Sequence, residues 1–482
     1  MPPHEMGGRP MLGKPYRFVV LLCTAALSTA VFAGAGAASV PSAAQGITKD
    51  SVEVVVLVAD LDGLRAQGLS LPAKLTTGNL TKRWQGYFDA YGKVNGRSVK
   101  VTPVVWNPVD PKSFEPTCIK ATQDNKPFAV LNANGYRASS VGCITVDNDT
   151  FMFYGESVYG ALQDASGKKL VSLGVPAEES AKTGASIIAK EKFFPKTAKI
   201  GILSGNEPAI KAAGDTAESE LKKAGYTIAQ KTEINIVGQD TAAQLRDAQA
   251  SVATMKAAGV DTVVVVVPFT VNSSFFDEAN NSNAGFKYML IDAASSLCTQ
   301  FGASRVPAAI GNTSVPCVTT WDTRAVNAKN AIKKDNAFEA KCRTTMDAAM
   351  NEKTQPGVPA GDVTDAAGVT LTEDFAPNEC TMVDLFMQAL KKAGKNPTTD
   401  KLYDGFLTIK KNPAAYQSNG EGGFSKTKTY FSNSVHLEVL NLASTQTPKD
   451  ANGLYNGCPA PVNCWVPQLI GGSEWFPVTQ GT

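Results

Sequence analysis

The residues best suited to covalent chemistry in this chain are its cysteines. Beyond residue 44 there are eight, and they fall in order into close neighbours: Cys118/Cys143, Cys298/Cys317, Cys342/Cys380 and Cys458/Cys464. These spacings match neither a zinc ribbon nor a thioredoxin-like CxxC, so they argue against metal and dithiol redox chemistry. An even set of thiols in an exported chain usually ends as disulfides, and four local bridges in that order are expected. Only one histidine, His436, lies beyond residue 44. That excludes metal sites built from several histidines, including the HExxH zinc proteases. There is no GxSxG elbow, no GxxxxGK[ST] phosphate loop and no GxGxxG after a strand. His436 occupies the alternating stretch Ser434-Val435-His436-Leu437-Glu438-Val439, the pattern of a strand. A catalytic base there would need a nucleophile that no motif supplies. The expectation is a protein that is not an enzyme and needs no metal or cofactor.

Export is read from the start of the chain. Lys14 and Arg17 form a basic region, Phe18 to Ala33 is apolar, and small residues run from Gly34 to Ala44. The apolar run is shorter than the roughly 20 residues a spanning helix needs, so residues 1–44 read as a signal peptide, with a retained anchor as the competing reading. Cleavage is expected after Ala38 or Ala44. Cys23 would leave with the leader, and Val20, Leu21 and Leu22 before it are not a lipobox. The whole chain carries 46 Lys and Arg against 44 Asp and Glu. Arg9, Lys14 and Arg17 against Glu5 account for the difference, so the remainder is formally neutral. It has no basic stripe for nucleic acid and no acidic tail.

Holding any site in place requires elements, and these alternate. Val52–Ala59 is a near-continuous apolar run, as for a strand buried on both faces. Leu80, Trp84, Tyr87, Phe88 and Tyr91 recur at helical spacing, with Asn79 placed to cap and Gly92 to stop. Strands are predicted over residues 98–106, 128–132 and 151–154. From about residue 180 the pattern restarts: a helix over 183–190, a strand at 199–204, then helix, strand 226–232, helix, strand 261–267 and strand 286–291. Three helices end alike, at Lys222-Lys223-Ala224-Gly225, Lys256-Ala257-Ala258-Gly259 and Lys391-Lys392-Ala393-Gly394. Lysine complements the helix dipole there and glycine takes the left-handed position. Two long helices, 335–350 and 378–393, hold Cys342 and Cys380, and residues 422–443 read as extended. Such βα repetition implies an α/β fold with two doubly wound parallel sheets.

Taken in order, these segments resemble the type I periplasmic solute-binding proteins, in the branch of the leucine/isoleucine/valine-binding protein. Residues 46–59, starting Gly46-Ile47-Thr48-Lys49-Asp50, are similar to the family's opening GITxDxIxIGVLxPLTG. Trp84–Val99 (WQGYFDAYGKVNGRSV) is similar to its helix YVDYVNAAGGINGRKV. Leu221–Gly225 (LKKAG) and Ala258–Val266 (AGVDTVVVV) resemble the second lobe's LKKAG and AAGPDAVVL. The likeness covers most of residues 46–300. It departs at Asp60-Leu61-Asp62-Gly63, where relatives have PLTG, and at Gly92-Lys93-Val94-Asn95-Gly96, which lacks the double glycine. The resemblance implies two lobes joined by three crossovers that close on a ligand. Lobe one is expected from residues 46–170 and 325–432, and lobe two from 171–324 and 433–482. It also implies a monomer that delivers a small-molecule ligand to a membrane ABC permease, outside the cytoplasm and without nucleic acid. Its first-lobe cysteine pair corresponds in placement to Cys118/Cys143.

Ligands of open parallel sheets lie beyond the carboxyl ends of the strands. The candidates delivered there are Asp62; Tyr136, Ser139 and Ser140; Glu156 and Ser157; Asn206; Phe269; and Asp292. Free amides near Ser139, with the hydroxyls, suit a carboxylate. An acid on the other lobe suits an ammonium, and the resemblance assigns Asp292 that role. The expected ligand is a polar organic molecule, an amino acid or a relative. A ligand sensor acting on a receptor and a secreted hydrolase are the alternatives, the second requiring a nucleophile beside His436.

Overall fold

The computed structural model describes residues 44–66, 76–108, 110–133, 135–236, 241–292, 298, 315–320, 335–354, 361–364, 370–373, 377–441, 464–467, 470 and 473–478. The leader through residue 43, Cys23, most of the insertion up to Pro72, Asn134 and Cys458 lie outside them.

Strand β1 (Ser51–Ala59) sends Val52, Val54, Val56 and Val58 into one core and Val55 and Leu57 into another. Both faces are buried, which is why its alternation is invisible in the sequence. A short helix α1 (Leu61–Ala66) precedes α2 (Thr77–Tyr91), which buries Trp84, Tyr87 and Phe88. The cap of α2 is Thr76, whose hydroxyl accepts from the Asn79 amide; Asn79 is the donor, not the expected cap. The stop is as expected, with Gly92 at φ 82°. Next come β2 (Ser98–Trp106), α3 (Phe114–Ile119), β3 (Ala129–Asn132), α4 (Ala138–Gly142), β4 (Met152–Tyr154), α5 (Gly160–Ser166) and β5 (Leu170–Ser172). The five strands form a parallel sheet of order β2-β1-β3-β4-β5. Because β5 runs to Ser172, the chain leaves this sheet after the expected boundary at 170/171.

The pattern then repeats with α6 (Ala177–Glu191), β6 (Lys199–Gly205), α7 (Pro208–Lys223), β7 (Thr227–Ile234), α8 (Thr241–Ala257), β8 (Thr262–Val265), α9 (Phe269–Asn281), β9 (Lys287–Ile291) and β10 (Val315–Thr319). These strands run parallel in the order β7-β6-β8-β9-β10. Gly225 and Gly259, after α7 and α8, have φ of 83° and 69°, as the repeated Lys-x-x-Gly endings required.

Helix α10 (Ala337–Met350), the hairpin β11 (Gly361–Thr364) and β12 (Thr370–Glu373), α11 (Pro377–Ala393) and α12 (Thr399–Leu407) follow. Met346, Phe386, Leu402 and Phe406 carry these helices back onto the first sheet, in one core with Val54, Trp84 and Phe153. The cap of α10 is Asn336, in a capping box with Glu339. Asp335, the expected first residue, instead binds Arg343 at 2.7 Å and the Tyr416 hydroxyl at 2.5 Å. After the short pair β13 (Asn412–Pro413) and β14 (Glu421–Gly422), strand β15 (Ser434–Asn441) joins β10 antiparallel. β16 (Cys464–Pro467) and β17 (Trp475–Pro477) pair with β15 and complete an eight-stranded second sheet. The chain thus builds one sheet, builds another, returns to cover the first and ends in the second.

Three disulfides join the expected neighbours: Cys118–Cys143, Cys298–Cys317 and Cys342–Cys380, with Cα separations of 6.2, 6.1 and 5.8 Å. The last ties α10 to α11. The fourth expected pair, Cys458–Cys464, falls outside the described residues through Cys458.

Candidate functional site

Both parallel sheets share one topology, with the strand order reversing between β1 and β3 and again between β6 and β8. The crevice beyond the carboxyl ends of such strands is where the fold leaves room for a ligand.

On the first sheet the candidates separate. Asp62, past β1, is half exposed; it pairs with Arg65 at 2.9 Å and accepts from the Thr77 amide at 3.2 Å. It is committed to the surface around α1. Tyr136 is fully buried, with its ring 5.7 Å from that of Trp106 and 5.4 Å from that of Phe114. Its hydroxyl donates to the Phe114 carbonyl at 3.3 Å, and burial pushes the phenol well above its ordinary pKa. Tyr136 is therefore a core residue. Ser140 is half-buried, its amide returning to the Arg137 carbonyl.

Glu156 and Ser157, past β4, are buried. The Glu156 carboxylate accepts from the Gly135 amide at 2.8 Å and the Tyr154 hydroxyl at 3.2 Å. The Ser139 amide donates at 3.1 Å to Glu207, which belongs to the second sheet. The amide expected to receive a carboxylate does hold one, and the protein supplies it.

On the second sheet, Asn206 is spent on the loop after β7, donating to Asn235 at 2.6 Å and accepting from the Ile236 amide at 2.8 Å. Glu207 caps α7 through the Ala209 and Ile210 amides, with Pro208 at the first helical position. Phe269 opens α9, and its side chain lies outside the described residues. Asp292, 7% exposed at the end of β9, accepts from the Cys298 amide and the Thr319 hydroxyl, each at 3.3 Å.

The electrostatics join the two edges. Burial raises the Glu156 carboxyl to about 7; the Gly135 amide opposes this, the charge of Asp292 adds to it and the Tyr154 hydroxyl opposes it. Glu207 is also raised by burial, against the amides of Ile210, Ser139 and Ala209. Arg137 is lowered by burial and held up by the charge of Glu207, with its guanidinium 5.2 Å over the Phe114 ring. Glu156 and Asp292 thus feel one another across the two sheets.

A pH dependence follows for Glu156. Between the ordinary 4.5 and about 7 the folded protein keeps a proton that the unfolded chain releases. Its contribution to stability is then full below the ordinary value and is lost as pH rises towards about 7. Urea denaturation across that range should show stability falling with pH in the wild type and a flatter profile in Glu156→Gln. Equal slopes in both would refute the assignment.

Sequence reading missed three residues here. Glu207 was legible, since an acid before a proline suits a helix start. Asn272 and Gln417 carried no local signal. Both are buried, at 1% and 0% exposure, and among the described residues neither side-chain nitrogen nor oxygen has a hydrogen-bond partner. His436 is the strand residue expected: buried in β15, with Nδ1 2.9 Å from Glu438 and its ring 4.4 Å from that of Trp475.

No protein-family model matches the chain, and no curated protein matches it in sequence. Solved structures do match in shape. A solute-binding protein of an ABC transporter from Rhodopseudomonas palustris BisB5, in complex with 3,4-dihydroxybenzoic acid, is similar at TM-score 0.56 and 12% identity, covering 90% of this chain and 99% of that one. An ABC transporter substrate-binding protein from Desulfitobacterium hafniense in complex with Leu gives TM-score 0.53 at 12% identity, over 84% and 99% of the two chains. A leucine-binding protein of Thermotoga maritima gives 0.55 at 11%, over 82% and 96%. The chain has the α/β fold of the type I periplasmic solute-binding proteins, as the resemblance implied.

Proposed function

We propose that this chain is an extracytoplasmic solute-binding protein that closes on a small polar organic ligand, an amino acid or a related compound, and delivers it to a membrane ABC permease. It acts as a monomer and binds its ligand without transforming it. The observation that carries the reading is a contact between the carboxyl edges of the two sheets, the Ser139 amide donating at 3.1 Å to Glu207, with Glu156 and Asp292 buried on the same two edges. A crevice beyond the carboxyl ends of two such sheets, lined by polar groups, suits a polar molecule. Ser139, Glu156 and Asp292 are the residues assigned to it. Among the described residues no helix is long and apolar enough to cross a membrane.

A thermal-shift screen of the purified chain against amino acids, amides, aromatic acids and sugars tests the reading. A ligand at about 100 times its Kd should add about 2.7 kcal/mol to stability. A screen in which no compound raises the melting temperature would defeat it.

A further inference from the structure

We infer that Gln417 reads the ligand, and that the group it reads is a carboxamide. The inference rests on the solute-binding reading above. Gln417 lies in the loop between β13 and β14, where segments that run between the two sheets converge. Its neighbour Ser418 receives the Asn433 amide on its hydroxyl at 2.6 Å and donates its own amide to the Thr320 carbonyl at 3.4 Å. On the other side, the Tyr416 amide donates to Glu339 of α10 at 3.1 Å. Thr320 immediately follows β10, so the loop meets the carboxyl edge of the second sheet. The preceding Thr319 donates to Asp292.

Two features of this loop are unfavourable for folding alone. Gln417 is 0% exposed, yet among the described residues both ends of its amide are unpartnered, and a buried polar group without a partner is destabilising. Tyr416, Ser418 and Asn419 all have positive φ, near 52°, 51° and 56°, a conformation costly for residues with a Cβ. Strain that surrounds an unused donor and acceptor is the signature of a group held ready for something else.

The amide needs a partner that accepts from its nitrogen and donates to its oxygen. A carboxylate offers only acceptors and would leave the Gln417 oxygen unpaired. A neutral carboxamide satisfies both atoms and adds no charge. The ligand class is therefore an amino acid or related compound carrying a carboxamide.

The test compares L-glutamine and L-asparagine with L-leucine by calorimetry, on wild type and Gln417→Met. At least one amide amino acid should bind the wild type more tightly than leucine does. Gln417→Met should weaken it by about 10- to 100-fold, the loss of paired hydrogen bonds, and should not weaken leucine. The melting temperature of the ligand-free variant should stay level or rise, because an apolar side chain leaves no unpaired amide. Equal amide affinity in both proteins, tighter binding of leucine by the wild type, or a lower melting temperature in the ligand-free variant would each overturn the inference. If other compounds in the wider screen bind and the two amide amino acids do not, the inference fails while the solute-binding reading stands. If nothing binds, both fail.

Discussion

Glu379→Ala should destabilise the protein by about 3–5 kcal/mol, the cost of leaving a buried charge unpaired. Arg83 on α2 meets Glu379 on α11 through two hydrogen bonds, Nε to Oε2 at 3.1 Å and Nη2 to Oε1 at 3.0 Å. The two side chains are only 4% and 3% exposed, and 296 residues separate them in the chain. The Tyr87 hydroxyl is buried close enough to feel both charges and has no hydrogen-bond partner among the described residues. Removing the carboxylate would take a buried counter-charge away from the guanidinium. Replacing both partners together, as Arg83→Met with Glu379→Leu, should cost far less, because no charge is then buried alone. Urea denaturation of the two variants decides it. Equal losses would mean that the pair acts through packing rather than charge.

That pair shows where sequence reading stops. The helical spacing of Trp84, Tyr87 and Phe88 was legible because one apolar stripe repeats every turn. Arg83 stands within that stripe, and nothing local announced that its partner lies on a helix of the returning chain. Strands such as β1 and β8 were legible because burial on both faces leaves only apolar residues. Helix ends were legible where glycine had to take a positive φ. Helix starts were less so: Thr76 and Asn79, or Asp335 and Asn336, are near-equivalent in type, and only the backbone geometry decides which one caps.

The candidate site divides in the same way. Position at a strand end follows from alternation, but the direction of the side chain does not. Asp62 turns to Arg65 on the surface and Tyr136 turns into the core, whereas Glu156 and Asp292 are buried at the strand ends. The isolation of Gln417 depends on three segments brought together by the fold, around Thr320, Glu339 and Asn433. No short window of sequence contains them.

Asp292→Ala should weaken binding of a ligand with an amino group by about 2–5 kcal/mol, the cost of breaking a buried charge pair. The fold should persist, because Asp292 ends β9 rather than filling the core; among its partners are the Cys298 amide and the Thr319 hydroxyl. The structure adds a second readout that needs no ligand. Asp292 helps to hold the Glu156 carboxyl above its ordinary value, so its removal should shift the pH-dependent loss of stability to lower pH. Calorimetry and denaturation against pH on one variant therefore test both halves of the claim. A ligand without a cationic group should bind the variant almost as well as the wild type, so the pattern of losses also reports ligand class. Unchanged affinity for an amino-group ligand, with the pH profile shifted as expected, would move the ammonium to Glu156. Asp62 is exposed and paired with Arg65, which leaves Glu207 as the next alternative. An unshifted pH profile would mean that the two acids do not feel one another, and the meeting of the two edges would then lose its electrostatic half.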